Sequence, residues 1–260
     1  MRDDVRRAVP PVDQTRFWIA RGRLPVEPSA VTPGKPDTPY RRWTRRCLQE
    51  WTVRRVRRHL GGRFARAVDL GCGYGDWTVL FGAMADEIVA CDVSPGFVEE
   101  AERRLRAARH RAATVVCADV RSFDAFEESD FVYLGGVLTY LDDADCLAVL
   151  RRVRERIRGG GLLVSRDWCA VNAGRPSRRT GDWFSVHRRP RRYEAFARAA
   201  GFRVIERAPS PAIYGEHMAH ALSGRRERLT RVLRWPVRLP WCVATLGWTR
   251  ASVSFVMKPA

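Results

Sequence analysis

The chain has 260 residues, 45% of them apolar, which supports a full α/β core and excludes a wholly disordered chain. Its seven cysteines, at 47, 72, 91, 117, 146, 169 and 242, include no CxxC pair. That argues against a zinc or thioredoxin-type framework, and an odd set of scattered thiols suits a reducing cytoplasm. The formal charge of +18 is uneven. Residues 1–60 hold 15 basic side chains against six acidic ones, residues 61–134 eight against 13, and residues 135–260 24 against ten. A basic balance of this kind suits an anionic partner, but only Lys35 and Lys258 are lysines, so a general preference for Arg explains it equally well.

Met1-Arg2-Asp3-Asp4-Val5-Arg6-Arg7 has no apolar run behind it, so no secretory signal is expected. No stretch of about 18 uncharged apolar residues predicts a membrane span. Residues 1–38, with prolines at 10, 11, 25, 28, 33 and 36, read as an extended arm with one apolar patch, Phe17-Trp18-Ile19. Thr38-Pro39 is a helix-start signal, and helical spacing of Tyr40, Trp43, Cys47, Leu48, Trp51 and Val56 predicts a helix closed by Gly61-Gly62. Strand and helix then alternate. Strands are expected over 65–70, 87–91, 113–117, 129–134, 161–165, 202–207 and 251–257, and helices over 76–85, 95–108, 144–158 and 190–200. This order predicts an α/β fold with a doubly wound, mostly parallel seven-stranded sheet and helices on both faces. Residues 1–60 form an N-terminal arm and helix beside a main domain over 61–260. That domain has an acceptor-side cap inserted at about 166–190 and an unassigned elaboration at about 208–250.

The chemistry concentrates in Ala67-Val68-Asp69-Leu70-Gly71-Cys72-Gly73-Tyr74-Gly75-Asp76-Trp77. A strand enters a glycine turn that opens a helix, and such a turn lets the backbone approach a ligand closely. The spacing is GxGxG, neither the dinucleotide GxGxxG nor a P-loop, which needs a following Lys-Ser or Lys-Thr. These residues resemble motif I of the class I S-adenosylmethionine-dependent methyltransferases, a Rossmann-like family. The resemblance covers about residues 60–165 and implies S-adenosyl-L-methionine as cofactor. It puts Asp69, Gly71, Cys72 and Gly73 at the glycine turn. Asp92, with Val93 behind it, takes the place of the acid that binds both ribose hydroxyls, a task suited to a carboxylate with two accepting oxygens. Asp119 takes the place of the acid against the adenine amino group, with the Val120 N–H on the ring. Gly135 falls after strand four, and Arg158-Gly159-Gly160-Gly161 resembles the turn into strand five. The N-terminal helix is expected to cover the cofactor, with Tyr40 and Arg46 in its first two turns. Taken alone, each of these residues also has an ordinary structural reading as turn, cap or packing residue. The case rests on the set, placed at the C-terminal ends of parallel strands, where ligands bind in open α/β sheets.

The expected reaction is in-line methyl transfer to O or N of a small-molecule, lipid or glycan acceptor, an anionic one included. The acceptor side offers Tyr140, Asp167, His187, Glu216, His217 and His220. His187 ranks first as catalytic base and His217 next, although a single His is more often structural. Arg175, Arg178, Arg179, Arg188, Arg189, Arg191 and Arg192 form either an anion-receiving cluster or a solvated rim. Trp235–Trp241 mixes Trp with Arg and is expected to pack on the domain. Leu134–Thr139 lacks the Pro-Pro run of base-amine methyltransferases, and the chain has no Pro-Cys pair and no Asp-Asn metal set after strand four. Direct base methylation and a bound metal are therefore disfavoured. The alternatives are an RNA-modifying methyltransferase recruited by the Arg-rich ends, a non-catalytic cofactor-binding protein, and an NAD-dependent oxidoreductase.

Overall fold

The computed structural model describes residues 14–25, 31, 39–110, 112–171, 177–179, 185–209 and 250–260. The helices α1 (Gln14–Gly22) and α2 (Pro39–Leu60) precede β1 (Phe64–Leu70), α3 (Asp76–Gly82), β2 (Ala85–Asp92), α4 (Pro95–Ala107), β3 (Ala113–Cys117) and β4 (Ser129–Gly135). A single 3-10 turn, Leu138–Tyr140, leads to α5 (Asp143–Arg156) and β5 (Ile157–Ala170). The short strands β6 (Ser177–Arg179) and β7 (Ser185–His187), then α6 (Pro190–Ala199), β8 (Phe202–Pro209) and β9 (Arg250–Pro259), complete the order.

Seven strands form one sheet in the order β3-β2-β1-β4-β5-β9-β8. β9 runs antiparallel to both neighbours, while β1 to β5 pair in parallel. The connections leave β1 in one direction toward β2 and in the other toward β4, so a ligand crevice is expected at the C-terminal ends of β1 and β4. Alternation along each strand sends side chains to opposite faces. Val68, Leu70, Val132, Leu134, Leu163 and Phe255 meet α5 and α6 through Val149, Leu150, Tyr193 and Phe196. Ala67, Ile88, Phe131, Tyr133, Leu162 and Val256 meet α2, α3 and α4 through Trp51, Val56, Phe81 and Leu105.

Local chemistry fixes the helix starts. Pro95 opens α4 behind Ser94, and Phe97, Ala101 and Leu105 then recur every four residues on its buried face. Asp142 caps α5 by accepting the Asp145 N–H at 2.8 Å, with acids in the first turn and Arg154 and Arg156 in the last.

Three expectations change. The arm is not extended throughout, because residues 14–22 are helical where proline is absent between 11 and 25. The helix is fixed by contacts rather than periodicity. The Trp18 ring meets Tyr140 at 5.0 Å, and Gly22 packs so closely on Ser94 and Gly96 that a side chain there would collide. α2 is part of the core, through Trp51 and Val56, rather than part of a separate arm. β5 extends five residues past the end expected for it, because β9 keeps pairing along it as far as Ala170. The insertion at 166–190 holds the β6–β7 hairpin.

Candidate functional site

The strands β1 and β2 end side by side, and the glycine turn leaves from there. Gly71 and Cys72 donate their N–H groups to Cys91 O at 2.8 and 2.9 Å, which ties the turn to the neighbouring strand. Gly71, Gly73 and Gly75 all have φ between +54° and +83°, a region that a side chain disfavours. Val137 covers Gly71 and Val31 covers Gly73. Behind the turn, Asp69 is buried, and its Oδ2 accepts from the Thr78 hydroxyl at 2.7 Å. Burial pushes its carboxyl up to about 7. Asp69 therefore braces the turn against α3. Cys72 is likewise buried and contributes backbone.

Asp92 points at the turn. Its Oδ2 accepts the Gly73 N–H at 2.9 Å and its Oδ1 the Ser94 N–H at 3.0 Å. Burial raises its pKa to about 6, and those two backbone donors restrain the rise. Each oxygen keeps accepting capacity for a vicinal diol, so the residue fits the ribose of a bound nucleoside. Val93 follows at the rim, its carbonyl 3.8 Å from the Cys117 thiol.

Asp119 lies just past the end of β3 and is already engaged. Its Oδ1 accepts the Arg121 N–H at 2.8 Å, and both oxygens accept from the Arg121 guanidinium. Burial alone would raise the carboxyl, but the guanidinium holds it below the usual carboxylate range. Arg121 also reaches the Thr15 hydroxyl on α1 at 3.4 Å. Val120 packs against the core and accepts from Arg152 at 3.4 Å.

Over this turn both α2 and α1 contribute side chains. Arg46 is exposed on α2, and the Tyr40 side chain lies outside the described residues. Arg45, one residue earlier, donates to the Tyr74 hydroxyl at 3.2 Å and pairs with Asp76 at 3.5 Å. It is α1 that spans the crevice, with Trp18 packed against Tyr74, Phe97 and Val31 on one side and Tyr140 on the other.

At the end of β4, Gly135 lies opposite Arg166 of β5, and the Gly136 N–H donates to Arg166 O. Gly135 must lack a side chain because the Tyr133 ring occupies its place. The Arg166 Nε donates to the Tyr133 hydroxyl at 3.4 Å. Sequence reasoning passed over Arg166, although a cation closing an apolar strand at the ligand edge is a readable signal.

Residues 67–161 match the model of a methyltransferase domain. A carboxy-S-adenosyl-L-methionine synthase of Psychrobacter arcticus is 34% identical over 109 residues, 40% of this chain and 41% of that protein. A trans-aconitate 2-methyltransferase of Methylobacterium nodulans is 37% identical over 102 residues, 38% of this chain and 37% of that protein. The matched region thus spans about two fifths of these curated relatives. Among solved structures, a geranyl diphosphate C-methyltransferase of Streptomyces coelicolor superposes with a TM-score of 0.64 at 16% identity, covering 95% of this chain and 97% of that one. A S-adenosylmethionine-dependent methyltransferase of Leishmania major gives 0.64 at 17% identity, covering 94% and 81%. Residues 67–161 therefore match a methyltransferase domain, and the chain has the fold of S-adenosylmethionine-dependent methyltransferases.

The described residues expected on the acceptor side, Tyr140, Asp167 and His187, lie past the end of β4, in β5 and in β7. The Thr139 hydroxyl donates to Val186 O at 3.2 Å, which seats β7 on the 138–140 turn. His187 ends β7 with its ring 6.4 Å from that of Trp168 in β5. Asp167 is buried, and its Oδ1 accepts the Thr139 N–H at 2.9 Å. It shapes the turn from the α5 and α6 face. Burial raises the Tyr133 and Tyr140 hydroxyls to about 12, so both stay neutral. Glu216, His217 and His220 lie outside the described residues, as do Arg175 and the Trp235–Trp241 run.

Two members of the expected anion-receiving cluster are committed elsewhere. Arg188 is only 4% exposed and donates to Asp143 Oδ1 at 2.7 Å and to the carbonyls of Leu138 and Leu141 at 3.0 and 2.7 Å. Arg192 pairs with the other oxygen of Asp143 at 2.7 Å. Both pin α6 and β7 to the start of α5. Among the described residues, no His, Cys, Asp and Glu cluster is placed to hold a metal ion, and no helix is long and apolar enough to cross a membrane.

Proposed function

We propose that the chain transfers the methyl group of S-adenosylmethionine to an oxygen or nitrogen of a small-molecule, lipid or glycan acceptor. The orientation of Asp92 carries this reading: a partly exposed carboxylate at the end of β2, fixed by two backbone donors, aimed into a GxGxG turn. Asp92 would hold the ribose, the backbone at Gly71–Gly73 and Gly135 the amino-acid portion, and Val93, Asp119 and Val120 the base. Tyr40 and Arg46 remain candidates for the cofactor's outer edge. When bound, the sulfonium supplies an electrophilic methyl group. The chain's own task is then to orient a nucleophile in line with it and exclude water, which Trp18 and Val31 favour by closing over the turn. His187 is the described candidate for accepting a proton from a hydroxyl acceptor, and His217 a further one.

Calorimetric titration with S-adenosylhomocysteine and with NAD tests the cofactor assignment. Binding of the first and not the second is expected. Asp92→Ala should weaken it about 10- to 150-fold, the equivalent of losing a charged hydrogen bond of about 1.5–3 kcal/mol, while keeping the fold. Preferential binding of NAD would end this reading. Incubation with methyl-labelled cofactor and a metabolite extract would then identify the acceptor.

The 34% identity to a carboxy-S-adenosyl-L-methionine synthase supports a second reading, in which the cofactor itself is modified. Mass spectrometry of the cofactor after turnover separates the two.

A further inference from the structure

We infer that Arg166 is the anchor for a carboxylate on the acceptor, so that the acceptor is a small organic acid. This rests on the methyl-transfer reading and names its substrate class. The register Gly135↔Arg166 puts this side chain on the sheet face of Leu162 and Val164, over a position with no side chain of its own. Its Nη2 lies 3.9 Å from where a Cβ on Gly136 would stand. The next residue, Val137, covers Gly71. A continuous surface of three residues therefore joins the guanidinium to the cofactor turn.

Its surroundings give that cation no contact ion pair among the described residues, and of the acids only the adjacent Asp167 acts on it through space. Other partly or fully buried arginines have an acid within 4.0 Å: Arg45 has Asp76, Arg55 has Glu206, Arg66 has Glu87, Arg104 has Glu100 and Arg188 has Asp143. Arg152 and Arg154 donate to backbone carbonyls. Among the described residues Arg166 has no ion pair, and its side chain makes one long hydrogen bond, to the Tyr133 phenol. The adjacent Asp167 directs an oxygen to the Thr139 N–H on the other face of the sheet. Holding a guanidinium partly out of water without an anion is unfavourable, and a planar carboxylate matches its paired donors. The neutral phenols of Tyr133 and Tyr140 can donate but cannot neutralise it. Tyr140, near the guanidinium, is packed against Trp18, which favours a compact acid there. A carboxylate paired this way is a handle rather than the nucleophile, because its lone pairs are tied to the guanidinium.

The test uses the full chain saturated with S-adenosylhomocysteine. Benzoate, succinate and citrate are titrated calorimetrically, each beside its neutral amide, with inorganic phosphate as a separate arm. At least one carboxylate should bind about tenfold tighter than its amide. Arg166→Gln should remove that preference and leave S-adenosylhomocysteine affinity within about twofold, and Arg166→Lys should recover part of it. The proposal is overturned if acids and amides bind alike or not at all, if only phosphate binds, or if the Gln variant keeps the preference. Loss of S-adenosylhomocysteine affinity in the Gln variant would also overturn it, by assigning Arg166 to the cofactor's own carboxylate. Should that variant fail to fold, the Arg166 Nε resonance of the wild-type protein decides: a shift on adding the carboxylate supports the anchor, and none sinks it. Failure of the wild type to bind S-adenosylhomocysteine is a different result, and strikes the methyl-transfer reading itself.

Discussion

At Asp167 the fold holds a carboxylate out of water with protein donors on one oxygen only. Oδ1 accepts from the 138–140 turn, while Oδ2 is buried without a hydrogen-bond partner among the described residues. Burial raises the group to about 7, well above the ordinary value near 3.9 in an unfolded chain. The folded state therefore binds this proton more tightly than the unfolded state. The cost of ionisation is fully present above pH 7 and fades as pH falls through 7 toward 4. Asp167→Asn keeps the acceptor for Thr139 and removes the charge. It is expected to stabilise the protein at pH 8 by on the order of a few kcal/mol, with the gain shrinking as the pH is lowered. Urea unfolding across that range measures it, and a gain that does not change with pH would refute the assignment. Asp143, by contrast, is held below the usual carboxylate range by Arg192 and Arg188, which override its own burial. Neighbouring acids at one edge are thus driven in opposite directions by what each one faces.

Among the elements, α3 depends sharply on the glycine that precedes it. Gly75 sits at the cap with φ +83°, and a Cβ there would stand 2.8 Å from the Ala101 Cα of α4. Backbone cannot yield as a flexible side chain can. Gly61, at the end of α2, has φ +84° and nothing within 4 Å of the place a Cβ would take. Comparing the two separates conformational strain from collision. Gly61→Ala should cost about 1 kcal/mol, the left-handed penalty alone. Gly75→Ala should cost about 2–4 kcal/mol, since overpacking adds to it. Thermal melts of both variants check this, and equal losses would mean that α3 and α4 can part without penalty. The helix α1 obeys a different logic. It is only nine residues long, too short to be stable alone, so its contacts with Ser94, Tyr140 and Arg121 hold it.

Across the whole molecule, the alternation of strands and helices was legible because each parallel strand is buried on both faces and reads as a short apolar run. The strands around Val68, Val89 and Val132 were readable for that reason, as was the glycine turn with Asp92 beside it. The position of β9 inside the sheet was not legible, because its partner β5 lies some 80 residues earlier and no local pattern reports the pairing. Nor was α1, which depends on tertiary contacts, or the division of labour among the arginines. Density of Arg does not distinguish Arg188, committed to Asp143, from Arg166, which makes no ion pair among the described residues. Nor does the +18 charge itself indicate an RNA partner when Arg188 and Arg192 in the acceptor cap are engaged in internal ion pairs.

β9 is the last strand of the sheet in sequence, yet it lies between β5 and β8 and supplies Val253, Phe255 and Met257 to one core face and Val256 to the other. A ribosome must therefore release residues 250–260 before β8 can be joined to the rest of the sheet. Until then β5 presents an open edge beside apolar surface that nothing yet covers. The sheet is thus closed only when β9 pairs, and the chain is most prone to faulty association while that strand is missing.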